Sequence, residues 1–172
     1  RDLVRSRGLG DVYKRQSVTF AENAAIKAMA VMQASGLPAI ADDSGLCVDA
    51  LNGGPGVYSA RFGGEGLDDI GRYRLLLQML HGQADRRAHF HTTITCAFPN
   101  GDVLQDDGEV EGTIAFAPMG ENGFGYDPVF FVPDKRKTFA QLSAEEKAEI
   151  SHRGKALRAF KETLKNYLAE HQ

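Results

Sequence analysis

A chain of 172 residues with 42% apolar side chains is long enough for one domain with a core of its own. Its formal charge of −3 excludes a global basic field of the kind that holds DNA or RNA. There is no apolar run of membrane-spanning length and no visible signal peptide, and Cys47 and Cys96 are too few for a disulfide framework, so a reducing, cytoplasmic setting is expected.

Residues 1–16 show no apolar periodicity and carry five basic side chains (Arg1, Arg5, Arg7, Lys14, Arg15). The string Val12-Tyr13-Lys14-Arg15-Gln16 resembles translated adapter sequence, so 1–16 is read as a non-native segment and 17–172 as a single domain. A helix follows. Thr19 caps it, Glu22 sits in its first turn, Ile26, Met29 and Met32 or Ala30 form an apolar stripe, and Gly36 ends it. A short strand at 38–42 is expected to stop at a sharp turn freed by Gly45. Leu46–Leu51 and the loop Asn52-Gly53-Gly54-Pro55-Gly56 come next. Asp68–His81 reads as a helix with Ile70, Tyr73, Leu76, Leu77 and Leu80 on one side. Arg87–Phe98 alternates as a long strand, Pro99-Asn100-Gly101-Asp102 turns, and Val103–Phe116 returns antiparallel. A glycine-rich loop at 118–128 leads to a short strand, Val129–Val132. Two capping boxes, Thr138-x-x-Gln141 and Ser143-x-x-Glu146, precede a last helix from Ser151, with Leu157, Phe160, Leu164 and Leu168 inward. Irregular alternation of helices and strands predicts an α/β fold around a mixed sheet.

Three strings carry chemistry. Asp42-Asp43-Ser44-Gly45 follows an apolar run, as when a buried strand delivers carboxylates to the mouth of a cleft. Paired carboxylates there suit Mg²⁺ held against a polyphosphate while one of them takes a proton from water. Taken alone, the string reads more simply as an Asp-rich turn. Gly123-Phe124-Gly125-Tyr126-Asp127-Pro128 can present a ring face to a base and an acceptor to an N–H, or form a tight turn whose aromatics fill the core. Glu146-Lys147-x₃-Ser151-His152-Arg153-Gly154 places cations at a helix start, against the helix dipole, where an anionic or keto-bearing ligand would justify them. His89-x-His91 reads as strand-surface histidine, Asp106-Asp107-Gly108 as a turn and Asp134–Lys137 as a solvated loop. Gly63-Gly64-Glu65-Gly66 lacks the residues of a phosphate loop.

Together, Ala39-Ile40-Ala41-Asp42-Asp43-Ser44-Gly45-Leu46, Gly54-Pro55-Gly56-Val57-Tyr58-Ser59-Ala60-Arg61, Gly123–Pro128 and Ser151-His152-Arg153-Gly154 closely resemble the inosine/xanthosine triphosphate pyrophosphatases. The resemblance runs from about Thr19 to about Leu168. It implies an elongated, two-lobed α/β fold whose central mixed sheet lines a cleft, usually in a homodimer. It implies Mg²⁺-dependent hydrolysis of nonstandard purine nucleoside triphosphates (ITP, dITP, XTP) to the monophosphate and pyrophosphate. Neither nucleic acid nor membrane is an implied partner. By the same resemblance Asp43 is the base and a metal ligand, with Asp42 and Glu22 as second candidates for the metal. Ser44 touches phosphate, Phe124 stacks on the purine, Gly125, Tyr126 and Asp127 shape its pocket, and Lys147, His152 and Arg153 complete it. The family's opening strand and Thr-Gly-Asn-x-x-Lys phosphate loop have no match in residues 1–16. The chain as it stands is therefore expected to be poorly active and to leave a sheet edge and the first helix uncovered. Two alternatives stay open: a catalytically impaired nucleotide-binding remnant, or a related pyrophosphatase for other modified nucleotides.

Overall fold

A computed structural model describes residues 19–171. The segment 1–16, read as non-native, lies outside the described residues. In chain order the elements are α1 (Phe20–Ser35), β1 (Ala39–Val48), β2 (Gly54–Pro55), α2 (Asp69–Met79), β3 (Arg87–Ala97), β4 (Val103–Ile114), β5 (Phe130–Val132), β6 (Lys137–Thr138), α3 (Ala144–Ile150) and α4 (His152–Glu170). Short 3-10 turns intervene, including Gly56–Arg61 and Phe139–Gln141.

One six-stranded sheet, in the order β2-β1-β3-β4-β5-β6, holds the α/β fold together. Every pairing is antiparallel, which corrects the mixed sheet expected from the sequence. The reason is local. The hairpin turn at 98–102 folds β4 back on β3, and β1 pairs antiparallel with β3 along its whole length, from Ala39↔Ala97 to Val48↔Ala88. Among the described residues no helix serves as a right-handed crossover between parallel neighbours.

Alternation then divides the long strands between two faces. Leu46, Phe90, Val110 and Ile114 face the main core, which α2 closes with Tyr73, Leu76 and Leu80. Further along the same face, Ile94, Cys96, Phe98 and Leu104 meet Ala156 and Phe160 of α4. The opposite face carries α1. Its buried residues are Ala24, Ala25 and Ala28, not the predicted stripe, and Ile26 is 61% exposed. Small alanines let α1 lie close to β1 and to the threonine-rich back of β3, and Gln105 Nε2 of β4 donates to Ala21 O. Ile70, Leu157 and Leu168, expected inward, are exposed as well, while Tyr167 stacks on Phe98. Both cysteines are free and buried, and burial raises the thiol pKa of each.

The capping boxes at Thr138 and Ser143 form as read, Thr19 caps α1 and closes a further box with Glu22, and Gly36 ends the helix. Two glycines behave differently from expectation. Gly45 makes no turn; it lies in the middle of β1, where a side chain would collide with Gly56 O and lie 2.7 Å from Ser59 Oγ. Gly108, read as part of a turn, lies within β4 and gives room for the first turn of α4, since a Cβ there would strike His152 O and Ala156 N. Among the described residues, β2 pairs only with Cys47 and Val48, so Ala39–Leu46 has no strand partner on that edge.

Candidate active site

A cavity of about 220 Å³ opens between β1, the Gly56–Arg61 turn, α2, the 123–127 loop and the start of α4. All eight residues expected to bind substrate line it: Ser44, Phe124, Gly125, Tyr126, Asp127, Lys147, His152 and Arg153. Positions up to 109 residues apart in sequence thus meet in one place, as in the bond from an Arg153 Nη2 to Ser44 Oγ at 3.1 Å.

The deep wall is fixed by burial and backbone bonds. Tyr126 is buried and its hydroxyl donates to Ser59 O at 2.6 Å; burial pushes its pKa up to about 12, so it stays a neutral donor. Ser59 in turn accepts from Leu46 N and donates to Gly56 O, which locks the turn against β1. His152 stacks on Phe90, ring centroids 4.7 Å apart and nearly parallel. Burial, followed by the positive charges of Arg153, Lys147 and His91, lowers its pKa to about 3. A neutral imidazole offers one donor and one acceptor, and its Nδ1 is buried without a protein partner.

The rim is charged and aromatic. Phe124 is 61% exposed, with Lys147 Nζ 4.9 Å and Arg153 Cζ 5.5 Å from its ring centroid. An exposed ring flanked by two cations is costly as a packing solution and well suited to stacking a flat, electron-rich ligand. Asp127 holds the loop: its Oδ2 accepts from Phe124 N at 3.1 Å and from Lys147 Nζ at 2.5 Å. Burial raises the Asp127 pKa, and the Lys147 bond and charge oppose that rise.

The two neighbouring carboxylates do not converge. Asp42 and Asp43 are successive residues of a continuous strand, so they point to opposite faces. Asp43 looks toward α1, where its oxygens take Asn23 Nδ2 at 3.3 Å and Lys27 Nζ at 3.4 Å. Asp42 shares the Ser44 face, in a shallow hollow with Arg153 and Leu157. The picture of a strand delivering both acids to one cleft mouth is therefore corrected: the strand runs through them to Val48. Glu22, the other second candidate, accepts from Thr19 N and Thr19 Oγ1 in the α1 capping box. Among the described residues no group of three or more His, Cys, Asp or Glu side chains is placed to hold a metal ion.

Residues that sequence reasoning passed over complete the arrangement. Lys27 and Asn23 flank Asp43, one helical turn apart on α1. Asp69 accepts from Gly125 N at 2.9 Å, and Arg72 reaches Leu67 O and Gly64 O. Lys27 lay within an amphipathic pattern and Asp69 next to a helix cap, where such residues are ordinary. His91, read as surface histidine, sits under Phe20 and between Asp107 and Glu109.

An antiparallel sheet whose strand β1 presents a polar cavity on one face and a cation-flanked carboxylate on the other defines the class of structure. The chain belongs to the Ham1 family, whose model matches residues 4–163. A dITP/XTP pyrophosphatase of Thermus thermophilus is 53% identical over 154 residues, spanning 89% of this chain and 74% of the relative. The same-named protein of Streptomyces avermitilis is 47% identical over 97% of this chain and 86% of its own length. Among solved structures, the Ham1 protein of Staphylococcus aureus superposes with a TM-score of 0.84 at 47% identity, over 87% of this chain and 78% of that one.

Proposed function

We propose that the protein hydrolyses dITP, XTP and ITP to the monophosphate and pyrophosphate. The observation that carries this reading is the single cavity gathering Ser44, the 124–127 loop, Lys147, His152 and Arg153. In it the purine lies on Phe124 with its six-membered ring edge toward Arg153 and His152, at the base end of a cleft between two lobes. The dITP/XTP pyrophosphatases at about half identity support dITP and XTP as substrates.

Selectivity follows from donor and acceptor placement. Hypoxanthine and xanthine carry a keto acceptor at C6, where adenine carries an amino donor. Arg153 has only donors, so adenine would set donor against donor in a partly desolvated site. His152 stays uncharged at neutral pH, so base recognition does not titrate there.

At the phosphate end, Asp43 Oδ takes the proton of the water that attacks the α-phosphorus, and pyrophosphate leaves. Lys27 orients Asp43, while Ser44 Oγ, held by Arg153, contacts phosphate. Mg²⁺ fits as the cofactor because it is commonly held by one or two carboxylates together with substrate phosphates, and Asp43 supplies such an oxygen donor. Bound there, it would neutralise charge developing on the phosphate oxygens. A homodimer, in the cytoplasm, is the assembly the family resemblance suggests. No helix among the described residues is long and apolar enough to cross a membrane.

Pyrophosphate release measured across dITP, XTP, dATP, dGTP and modified pyrimidine triphosphates tests the reading. Release from dITP and XTP at least about tenfold above dATP in kcat/KM is expected. Binding without release would support a nucleotide-binding remnant, and preference for another modified nucleotide would move the substrate assignment.

A further inference from the structure

We propose that Asp69 is a positioning residue that sets the place of the Phe124 ring, and that base affinity runs through it. This rests on reading the cavity as the purine site. Phe124 is mostly exposed, so little packing fixes its ring, and its position depends on the backbone that carries it. Two successive N–H groups of that backbone are held by carboxylates. Phe124 N donates to Asp127 Oδ2, a bond within the loop that fixes its internal shape. Gly125 N donates to Asp69 Oδ2 at 2.9 Å, a bond to α2, 56 residues earlier in the chain. Gly125 has φ +62, a left-handed conformation that turns this N–H outward toward α2 at no side-chain cost.

Asp69 is therefore the strut between the wall built by α2 and the loop that carries the stacking ring. Its own element is well anchored: Asp68 caps α2 through Gly71 N, and Tyr73 and Leu76 are buried in the core. A fixed helix start is thus coupled to an otherwise exposed loop. A purely local role is the competing explanation, because a carboxylate in the first turn favours the helix dipole.

Two substitutions separate these roles. Asp69→Asn removes the charge but keeps an oxygen acceptor for Gly125 N, whereas Asp69→Ala removes both. Steady-state kinetics with dITP and thermal melts are measured for both variants and for Phe124→Ala. Positioning predicts that Asp69→Ala raises KM about tenfold with kcat within about twofold, as for lost binding shared by ground and transition states. Asp69→Asn should stay within about threefold of the parent KM although its melting temperature falls with that of the alanine variant. An unchanged KM in Asp69→Ala, or equal increases in both variants, overturns the proposal. An unchanged KM in Phe124→Ala would instead remove the purine-site reading, whatever Asp69 does.

Discussion

The two faces of β1 solve opposite problems with adjacent residues. On the face of Ser44 and Leu46, burial builds a deep wall that is largely neutral: Tyr126 is bonded to Ser59 O, and His152 is uncharged against Phe90. On the face of Asp43, charge dominates. Asp43 is met by Lys27, whose side chain is 52% exposed, and His91 lies between Asp107 and Glu109. On the proposed reading, base selection draws on the fixed donors of the first face and phosphate chemistry on the carboxylate of the second. A strand meets both needs in two residues, because its side chains alternate.

The comparison breaks hardest at Asp43. Asp43→Asn keeps the shape and one of the two oxygens that accept from Asn23 and Lys27, but cannot take a proton from water. Activity on dITP should fall about 10²–10⁴-fold, the range for a lost general base, while the melting temperature stays close to that of the parent. Retention of more than about a tenth of the parent turnover would move the base elsewhere.

On the cavity face the largest stability effect belongs to Lys147. Its ammonium meets Asp127 Oδ2, whose side chain is only 5% exposed. Lys147→Met strands that carboxylate, which costs about 3 kcal/mol in urea denaturation at neutral pH. Burial already raises the Asp127 pKa, so the deficit should shrink as pH falls and the carboxyl takes up a proton. The double variant Lys147→Met/Asp127→Asn should recover most of the loss, since no buried charge remains. A deficit independent of pH would show that Lys147 acts through its packing on Phe124 and Phe139 instead.

Much of this was legible in the sequence, and for physical reasons. Caps at Thr19, Thr138 and Ser143 are local hydrogen-bond patterns, and the turn at 98–102 is set by its own residues. Among the eight cavity residues, Phe124 between glycines and the cations at a helix start stood out as awkward choices for packing, whereas Ser44, Gly125, Tyr126 and Asp127 were named through the family resemblance. Beyond the β3–β4 hairpin, what failed was decided across the sheet. Gly45 and Gly108 look like turn formers, yet both are demanded by a distant backbone pressing on a strand. The inward stripe of α1 was misjudged because close approach to β3 favours alanine over isoleucine. Asp42 and Asp43 were paired in reading because they are adjacent, and a strand separates adjacent residues.

The smallest effect contrasts the two faces through their histidines, which shift in opposite directions. Bonding to Asp107 comes first in raising the His91 pKa, opposed by burial and aided by Glu109, while the same contact lowers the pKa of Asp107. A raised histidine contributes stability that is fully present below its unfolded value of about 6.5 and is lost as pH climbs through the higher folded value. Asp107 contributes above about 3.9, and its share is lost as pH falls through the lowered value, so the pair is at full strength between roughly pH 4 and 6.5. His152 runs the other way: the unfolded chain binds a proton below about 6.5 that the fold refuses until about pH 3, so this face loses stability as acid is added. His91→Gln should therefore destabilise more at pH 5.5 than at pH 8.5. Because Asp107 and Glu109 are about half exposed, screening limits the difference to about 0.5 kcal/mol. Urea denaturation at the two pH values, repeated in high salt, measures it. A difference that salt does not diminish would mean that His91 stabilises through its stack on Phe20 at 5.1 Å rather than through its carboxylates.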